Sequence, residues 1–185
     1  MAIEFDIKQS SKLKGVYIIT PNKFQDLRGE IWTAFTDEDL AKLVPDGIKF
    51  KHDKFINSHF NVLRGIHGDE KTYKLVTCVY GEILQVVVDC RKDSPTYLQY
   101  ESFIINQNEQ KLILLPPNMG NAHYVRSKDA VYYYKLAYEG EYLDAPDQFT
   151  FAYNDERIGV DWGFLKPILS NRDIEATLHD YTKGH

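Results

Sequence analysis

Short apolar runs separated by turn residues make up most of the chain from Gly15 onward. Gly15 to Thr20 is one such run, closed by Pro21-Asn22, and Ile31 to Phe35 is another. β-branched and aromatic residues fill them, as suits extended backbone. Lys74 to Val79 and Ile83 to Cys90 flank Tyr80-Gly81-Glu82, which predicts a hairpin. Leu112 to Leu115 is a short strand ended by Pro116-Pro117, and Ala130 to Tyr138 is a strand rich in tyrosine. Within Tyr132-Tyr133-Tyr134 the outer two rings must share one face and the middle ring take the other. Helix is scarce. Thr36 is placed to cap a short helix, Asp37 to Val44, with acids in its first turn and Pro45 as its stop. Leu169-Ser170-Asn171-Arg172-Asp173 predicts the start of a helix or turn. So many short strands predict an all-β sandwich or barrel with a few short peripheral helices, not a doubly wound α/β fold.

Composition narrows the class. The 185 residues suit one domain with a full core, and no linker or repeat divides 1–185. Net charge of -5 argues against nucleic acid as the main partner, so an anionic ligand needs local Lys and Arg. No apolar run approaches the ~18 residues of a membrane span, and the N-terminus lacks an apolar signal core. Cys78 and Cys90 both lie in apolar runs and read as small buried hydrophobes. A cytoplasmic enzyme that binds neither membrane nor nucleic acid is the expectation. Thirteen Tyr and ten Phe exceed the needs of a helical bundle and suit strands and ligand-lined pockets.

Four segments carry candidate chemistry: Asp26-Leu27-Arg28-Gly29, Arg64-Gly65-Ile66-His67, Gly120-Asn121-Ala122-His123, and Ser170-Asn171-Arg172-Asp173. Each has a plain structural alternative. On a regular strand Arg64 and His67 face opposite sides unless Gly65 introduces a bulge. His123 follows a Pro-Pro-Asn-Met-Gly turn and alone reads as a satisfied turn histidine. Ser170 and Asp173 have the spacing of a capping box. A metal site is disfavoured, because the position two beyond His67 is Asp69 and His52 and His59 lack partner spacing.

In order and spacing, DLRGEI, NVLRGIH, KLVTCVYGEILQVVVDCRKDSPT, LPPNMGNAH, YNDERIGVDW and LSNRD together resemble the dTDP-4-dehydrorhamnose 3,5-epimerase family. The resemblance runs from about Val16 to about Asp173. It implies a cupin-type jelly-roll barrel that forms a homodimer and needs no metal or other cofactor. It implies a nucleoside-diphosphate 4-keto sugar as substrate, His67 as base, Asp173 as its partner, Tyr134 as proton donor and Lys74 beside the substrate carbonyl. Arg28, Arg64, His123 and Arg172 match positions that contact the nucleotide sugar, and Tyr138 or Tyr142 would stack on the base.

The residue types suit that chemistry. A C4 ketone acidifies the hydrogens on C3 and C5. Histidine, with an ordinary pKa of ~6.5, suits their removal. A carboxylate fixes its tautomer, a lysine cation stabilises the enolate, and arginines suit the diphosphate. This chain departs from the family pattern at Gly68-Asp69 after the histidine, at Tyr124-Val125, at Thr33 in place of a base-reading glutamate, and at Gln148 in place of an acid. The expected substitute substrate is a GDP-linked 4-keto-6-deoxy-heptose for bacterial capsule or lipopolysaccharide. A sugar 3,4-ketoisomerase and a non-catalytic sugar-nucleotide-binding cupin are the competing readings.

Overall fold

Two neighbouring segments, Tyr73–Tyr80 and Ile83–Asp89, are buried along nearly their whole length on both faces. Only strands inside a sheet with cover on each side meet that demand. The computed structural model describes residues 2–163 and 166–178, so residues 1, 164–165 and 179–185 of the expected 1–185 domain lie outside the described residues. Its strands, in chain order, are β1 (Phe5–Gln9), β2 (Tyr17–Pro21), β3 (Lys23–Asp26), β4 (Gly29–Trp32), β5 (Lys49–His59), β6 (Leu63–Gly68), β7 (Tyr73–Tyr80), β8 (Ile83–Asp89), β9 (Tyr100–Ile105), β10 (Leu112–Leu115), β11 (Met119–Val125), β12 (Asp129–Tyr138) and β13 (Phe149–Thr150). Two short helices, α1 (Asp37–Leu40) and α2 (Asn171–Leu178), lie between and after them. Among the described residues no helix is long and apolar enough to cross a membrane.

The strands form a six-stranded sheet, β1-β2-β10-β7-β12-β5, facing a five-stranded sheet, β13-β6-β11-β8-β9, with β3-β4 as a separate hairpin. This is a cupin-type jelly roll. β7 and β8 do not pair with each other as the sequence suggests: each lies in a different sheet. Being apolar on both faces, each takes a central place in its own sheet, and the turn at Gly81 passes the chain between layers. Gly81 has φ +80°, and a Cβ there would run into the carbonyl of Asp129 and the Ser127 hydroxyl.

Three apolar layers result. Val76, Cys78, Ile83, Val87, Ile113 and Tyr132 meet between the sheets. Leu63, Val86, Ala122 and Tyr124 back the five-stranded sheet under Trp162 and Ile158. Leu75, Leu112, Leu114 and Ala137 back the other under Leu40 and Val44. Thr36 caps α1 as expected, its hydroxyl accepting from the Asp39 amide at 3.2 Å. The helix is shorter than Asp37 to Val44 and continues as a 3-10 turn over Ala41–Leu43.

Part of the sequence signature proves structural. Asp89 is wholly buried and accepts from Arg91 Nε and Nη2 at 2.8 Å each, and from the Ser94 and Thr96 hydroxyls at 2.6 Å each. Burial opposes its ionisation, but these bonds prevail and hold its pKa at about 2. A depressed carboxyl stabilises the fold above its unfolded value near 3.8 and loses that effect as pH falls through about 2. Asp89→Asn is therefore expected to cost about 2 kcal/mol at pH 7, shrinking below pH ~4, in denaturant titrations run across pH.

Candidate active site

β6 carries the first group of the site. It pairs with β11 as Arg64 with His123 and His67 with Asn121, so three steps on one strand oppose two on the other. That bulge is the condition under which Arg64 and His67 serve the same side. Gly65 makes it, with φ +115°. A Cβ there would meet the Asn121 carbonyl and lie 2.6 Å from the Ala122 methyl. Arg64 Nε then donates to Ser58 Oγ on β5 at 3.1 Å.

His67 Nε2 lies 2.5 Å from Asp173 Oδ1. Asp173 is buried in the first turn of α2, where Ser170 caps the helix: the Asp173 amide donates to Ser170 Oγ at 3.2 Å, and Ser170 Oγ donates to Asp173 Oδ2 at 2.8 Å. One carboxylate thus holds the capping serine with one oxygen and the histidine with the other. With Nε2 engaged, Nδ1 is the ring nitrogen left to take a proton.

The six-stranded sheet supplies the facing groups. On β12, Tyr132 and Tyr134 share the inner face, their rings edge to face at 4.9 Å, while Tyr133 turns outward to Asp53 at 2.8 Å. Tyr134 pairs across to Val76 and Leu136 to Lys74, so Lys74 shares that inner face. Burial lowers the Lys74 pKa, and Asp69 opposes the shift with its carboxylate 3.6 Å from Nζ. Burial pushes the Tyr134 phenol up to about 12, against the pull of Arg64, Asn121 and Arg172.

His123 sits in mid-strand on β11, not in a turn, because the strand begins at Met119. It is buried and stacks on Tyr132 with ring centroids 3.9 Å apart. Burial, with Arg64 and His67 adding to it, lowers its pKa to about 3, so the ring is neutral. Neither ring nitrogen has a hydrogen-bond partner, a costly state that a ligand would relieve. Arg172 is anchored by Thr150 Oγ1 at 2.6 Å and by the carbonyls of Gln148 and Phe149 at 3.3 and 3.2 Å.

Two expected ligand residues make their bonds elsewhere. Arg28 is at the tip of the β3-β4 hairpin with its side chain 90% exposed, bonded only to Asp26. Tyr138 bonds His52 Nδ1 at 3.0 Å beneath Lys51. Tyr142 packs its ring edge to face against His52, with centroids 4.9 Å apart. Lys54 joins it, with Nζ 3.1 Å from the Tyr142 hydroxyl, and was missed in the sequence along with strand β5. On that strand His52, Lys54, Ile56 and Ser58 alternate with more exposed residues. Because three of these four are polar, no apolar period marks the strand. Among the described residues no three His, Cys, Asp or Glu side chains gather as metal ligands.

A sequence profile for dTDP-4-dehydrorhamnose 3,5-epimerase matches residues 10–180. The enzyme of that name from Salmonella typhimurium is 31% identical over 169 residues, covering 89% of this chain and 91% of that one. The crystal structure of dTDP-6-deoxy-D-glucose-3,5-epimerase RmlC from Legionella pneumophila, in complex with dTDP-4-keto-L-rhamnose, superposes with a TM-score of 0.84 at 27% identity, covering 97% of this chain and 96% of that one. NovW, a 4-keto-6-deoxy sugar epimerase from Streptomyces spheroides, gives 0.84 at 27% identity, covering 94% and 86%.

Asp173→Asn keeps an oxygen able to accept from the capping Ser170 hydroxyl but removes the carboxylate beside His67. It is expected to lower turnover ~100-fold or more. Thermal stability should fall by under ~1 kcal/mol. Steady-state kinetics paired with a circular dichroism melt would check both.

Proposed function

The chain belongs to the dTDP-4-dehydrorhamnose 3,5-epimerase family and is an isomerase; from that premise we propose that it epimerises a nucleotide-linked 4-keto-6-deoxy sugar at C3, C5 or both, with His67 as base and Tyr134 as acid. The observation that carries this reading is the His67–Asp173 pair at 2.5 Å, with Tyr134 and Lys74 presented by the facing sheet. His67 Nδ1 takes the proton next to the ketone, and Asp173 stabilises the imidazolium. The C4 oxygen gains negative charge as the enolate forms, and the Lys74 ammonium is there to meet it. Tyr134 returns a proton to the opposite face. Arg64, Arg172 and Lys54 bind the diphosphate, neutral His123 donates a further hydrogen bond, and no metal or other cofactor takes part.

The nucleotide in this proposal is GDP and the sugar a 4-keto-6-deoxy-heptose, made in the cytoplasm for a capsule or lipopolysaccharide. The altered positions support a changed base pocket. Gly68 has no room for a side chain, because the Phe149 ring and the Met119 carbonyl occupy it. Gln148 spends its amide on the Leu143 carbonyl at 3.0 Å. Tyr142, under Lys54 at 4.2 Å, takes the stacking role ahead of Tyr138, whose hydroxyl is engaged by His52.

Incubating the protein in deuterated water with dTDP- and GDP-linked 4-keto-6-deoxy hexoses and the GDP-linked heptose tests this reading. The GDP heptose is expected to turn over fastest, with one mass unit gained per inverted centre. His67→Ala should abolish uptake and inversion alike. Tyr134→Phe should lose most inversion while retaining exchange, because His67 can return a deuteron to the same face. A 3-keto product would favour a ketoisomerase, and binding without any exchange a non-catalytic cupin.

The proposal includes a homodimer. Arg28 and the fully exposed Leu27 stand at the tip of the hairpin, where Arg28 bonds Asp26. A second copy is the partner that would bring this cation to a nucleotide. Mixing Arg28→Ala with His67→Ala protein should then restore up to about a quarter of wild-type activity, since random pairing makes half the molecules mixed and each holds one intact site. No recovery after verified subunit exchange would place Arg28 in its own chain's site, and normal activity of Arg28→Ala alone would place it in neither.

A further inference from the structure

Asp69, one of the positions where this chain departs from the family pattern, follows the base strand β6 and is buried. Its Oδ1 accepts from the backbone amides of Lys71 and Thr72 at 3.1 and 2.7 Å. Its own carbonyl accepts from the Asn118 amide at 2.8 Å. These three bonds fix the turn from β6 to β7 and hold the carboxylate in one orientation. The second oxygen, Oδ2, is buried and has no hydrogen-bond partner. What faces it is Lys74 Nζ, at 3.6 Å, on a side chain itself only 8% exposed. An asparagine would close the same turn with its Oδ1. A second, charged oxygen buried without a hydrogen bond is unfavourable. The turn does not account for it, and the ammonium opposite does.

We propose that Asp69 is a positioning residue for the reaction, holding the Lys74 ammonium in place and charged while leaving its hydrogens free for the substrate's C4 oxygen. The inference rests on Lys74 being the cation that meets the enolate. At 3.6 Å the contact is an ion pair and not a hydrogen bond. The three donors of the ammonium are therefore not taken up by Asp69. A closer, hydrogen-bonded pair would compete with the enolate oxygen for them. Without the carboxylate the charge is harder to keep. Burial works against an ammonium, Arg172 from α2 and Lys54 from β5 repel it, and Asp69 opposes all three. Leu115 and Leu136, its cross-strand neighbours on β10 and β12, are uncharged. Tyr134, on the same inner face, is a neutral phenol that burial pushes up to about 12. A neutral amine in place of the ammonium could donate a hydrogen bond but would bring no charge to the oxygen where negative charge develops in the transition state.

The test is Asp69→Asn, which keeps the Oδ1 bonds of the turn and removes the charge. It is assayed in deuterated water with the dTDP- and GDP-linked 4-keto-6-deoxy sugars in parallel, beside Lys74→Met and the double variant. For Asp69→Asn, kcat is expected to fall about 10- to 100-fold at pH ~8, with KM within about threefold of wild type. The ratio of its kcat to that of wild type should rise as pH falls, because Lys74 regains its proton. Taking the ratio removes the titration of His67, which both proteins share. If Asp69 acts through Lys74, adding Asp69→Asn to Lys74→Met should cost no more than about twofold further. Full additivity in that cycle, or a ratio that is flat across pH, overturns the proposal. Should Asp69→Asn fail to fold, Asp69→Ser, whose hydroxyl can accept the same amides, replaces it in the comparison. Failure of both makes Asp69 a structural residue and overturns the proposal too. Lys74→Met separates this inference from the reading beneath it. If it turns over normally, the role of Lys74 falls and this inference with it. If it loses turnover while Asp69→Asn keeps its own, only the role of Asp69 falls. Wild-type protein that takes up no deuterium with any of these sugars would remove the epimerase reading and the inference together.

Discussion

Between the two sheets, polar side chains have been taken out of water, and each must then find its partner inside the protein. That requirement organises the centre of the molecule. His67 is held by Asp173, Lys74 by Asp69, and Asn121 by Gln85 and Tyr132. His123 alone among these keeps both ring nitrogens unpaired. A buried group without a partner costs more free energy than a satisfied one contributes. The unpaired ring therefore marks where something other than protein belongs.

The same constraint divides the barrel interior. Toward Ile83 and Ile105 it is filled by aliphatic side chains. Beside them it changes to imidazole, phenol, ammonium and amide groups. The division follows from strand alternation, because the inner face of β7 passes from Cys78 through Val76 to Lys74, and that of β12 from Tyr132 to Tyr134. A rigid apolar wall thus backs the reacting groups and restricts their rotamers. Around them Arg64, Arg172, Lys54 and Lys74 gather in a protein whose net charge is -5. The positive field is local, as binding a diphosphate requires.

Much of this was legible along the chain. β2, β7, β8, β10 and β12 stood out because each has apolar or aromatic residues in sequence, and Thr36 and Ser170 announced their helices by capping chemistry. β5 did not, because His52, Lys54 and Ser58 occupy its inward positions and remove the apolar alternation. β11 was read through its preceding prolines as a turn, so His123 lost its place in mid-strand. The apparent hairpin at Gly81 failed for a related reason. Local turn signals say that the chain reverses, and do not say whether it returns beside itself or crosses to a second layer.

What the sequence determined by itself was the fold class, the family and the identity of the candidate chemical groups, since these depend on residue type, order and short-range periodicity. Tertiary structure alone decided which groups meet. Asp173 lies 106 residues from His67, and the bond between them exists only because β6 and α2 come together at one end of the barrel. The same packing left Arg28 bonded only to Asp26 and brought Lys54 against Tyr142. A hydrogen bond is settled by distances of a few tenths of an ångström and by angle, and those are fixed by the packing of strands far apart in sequence.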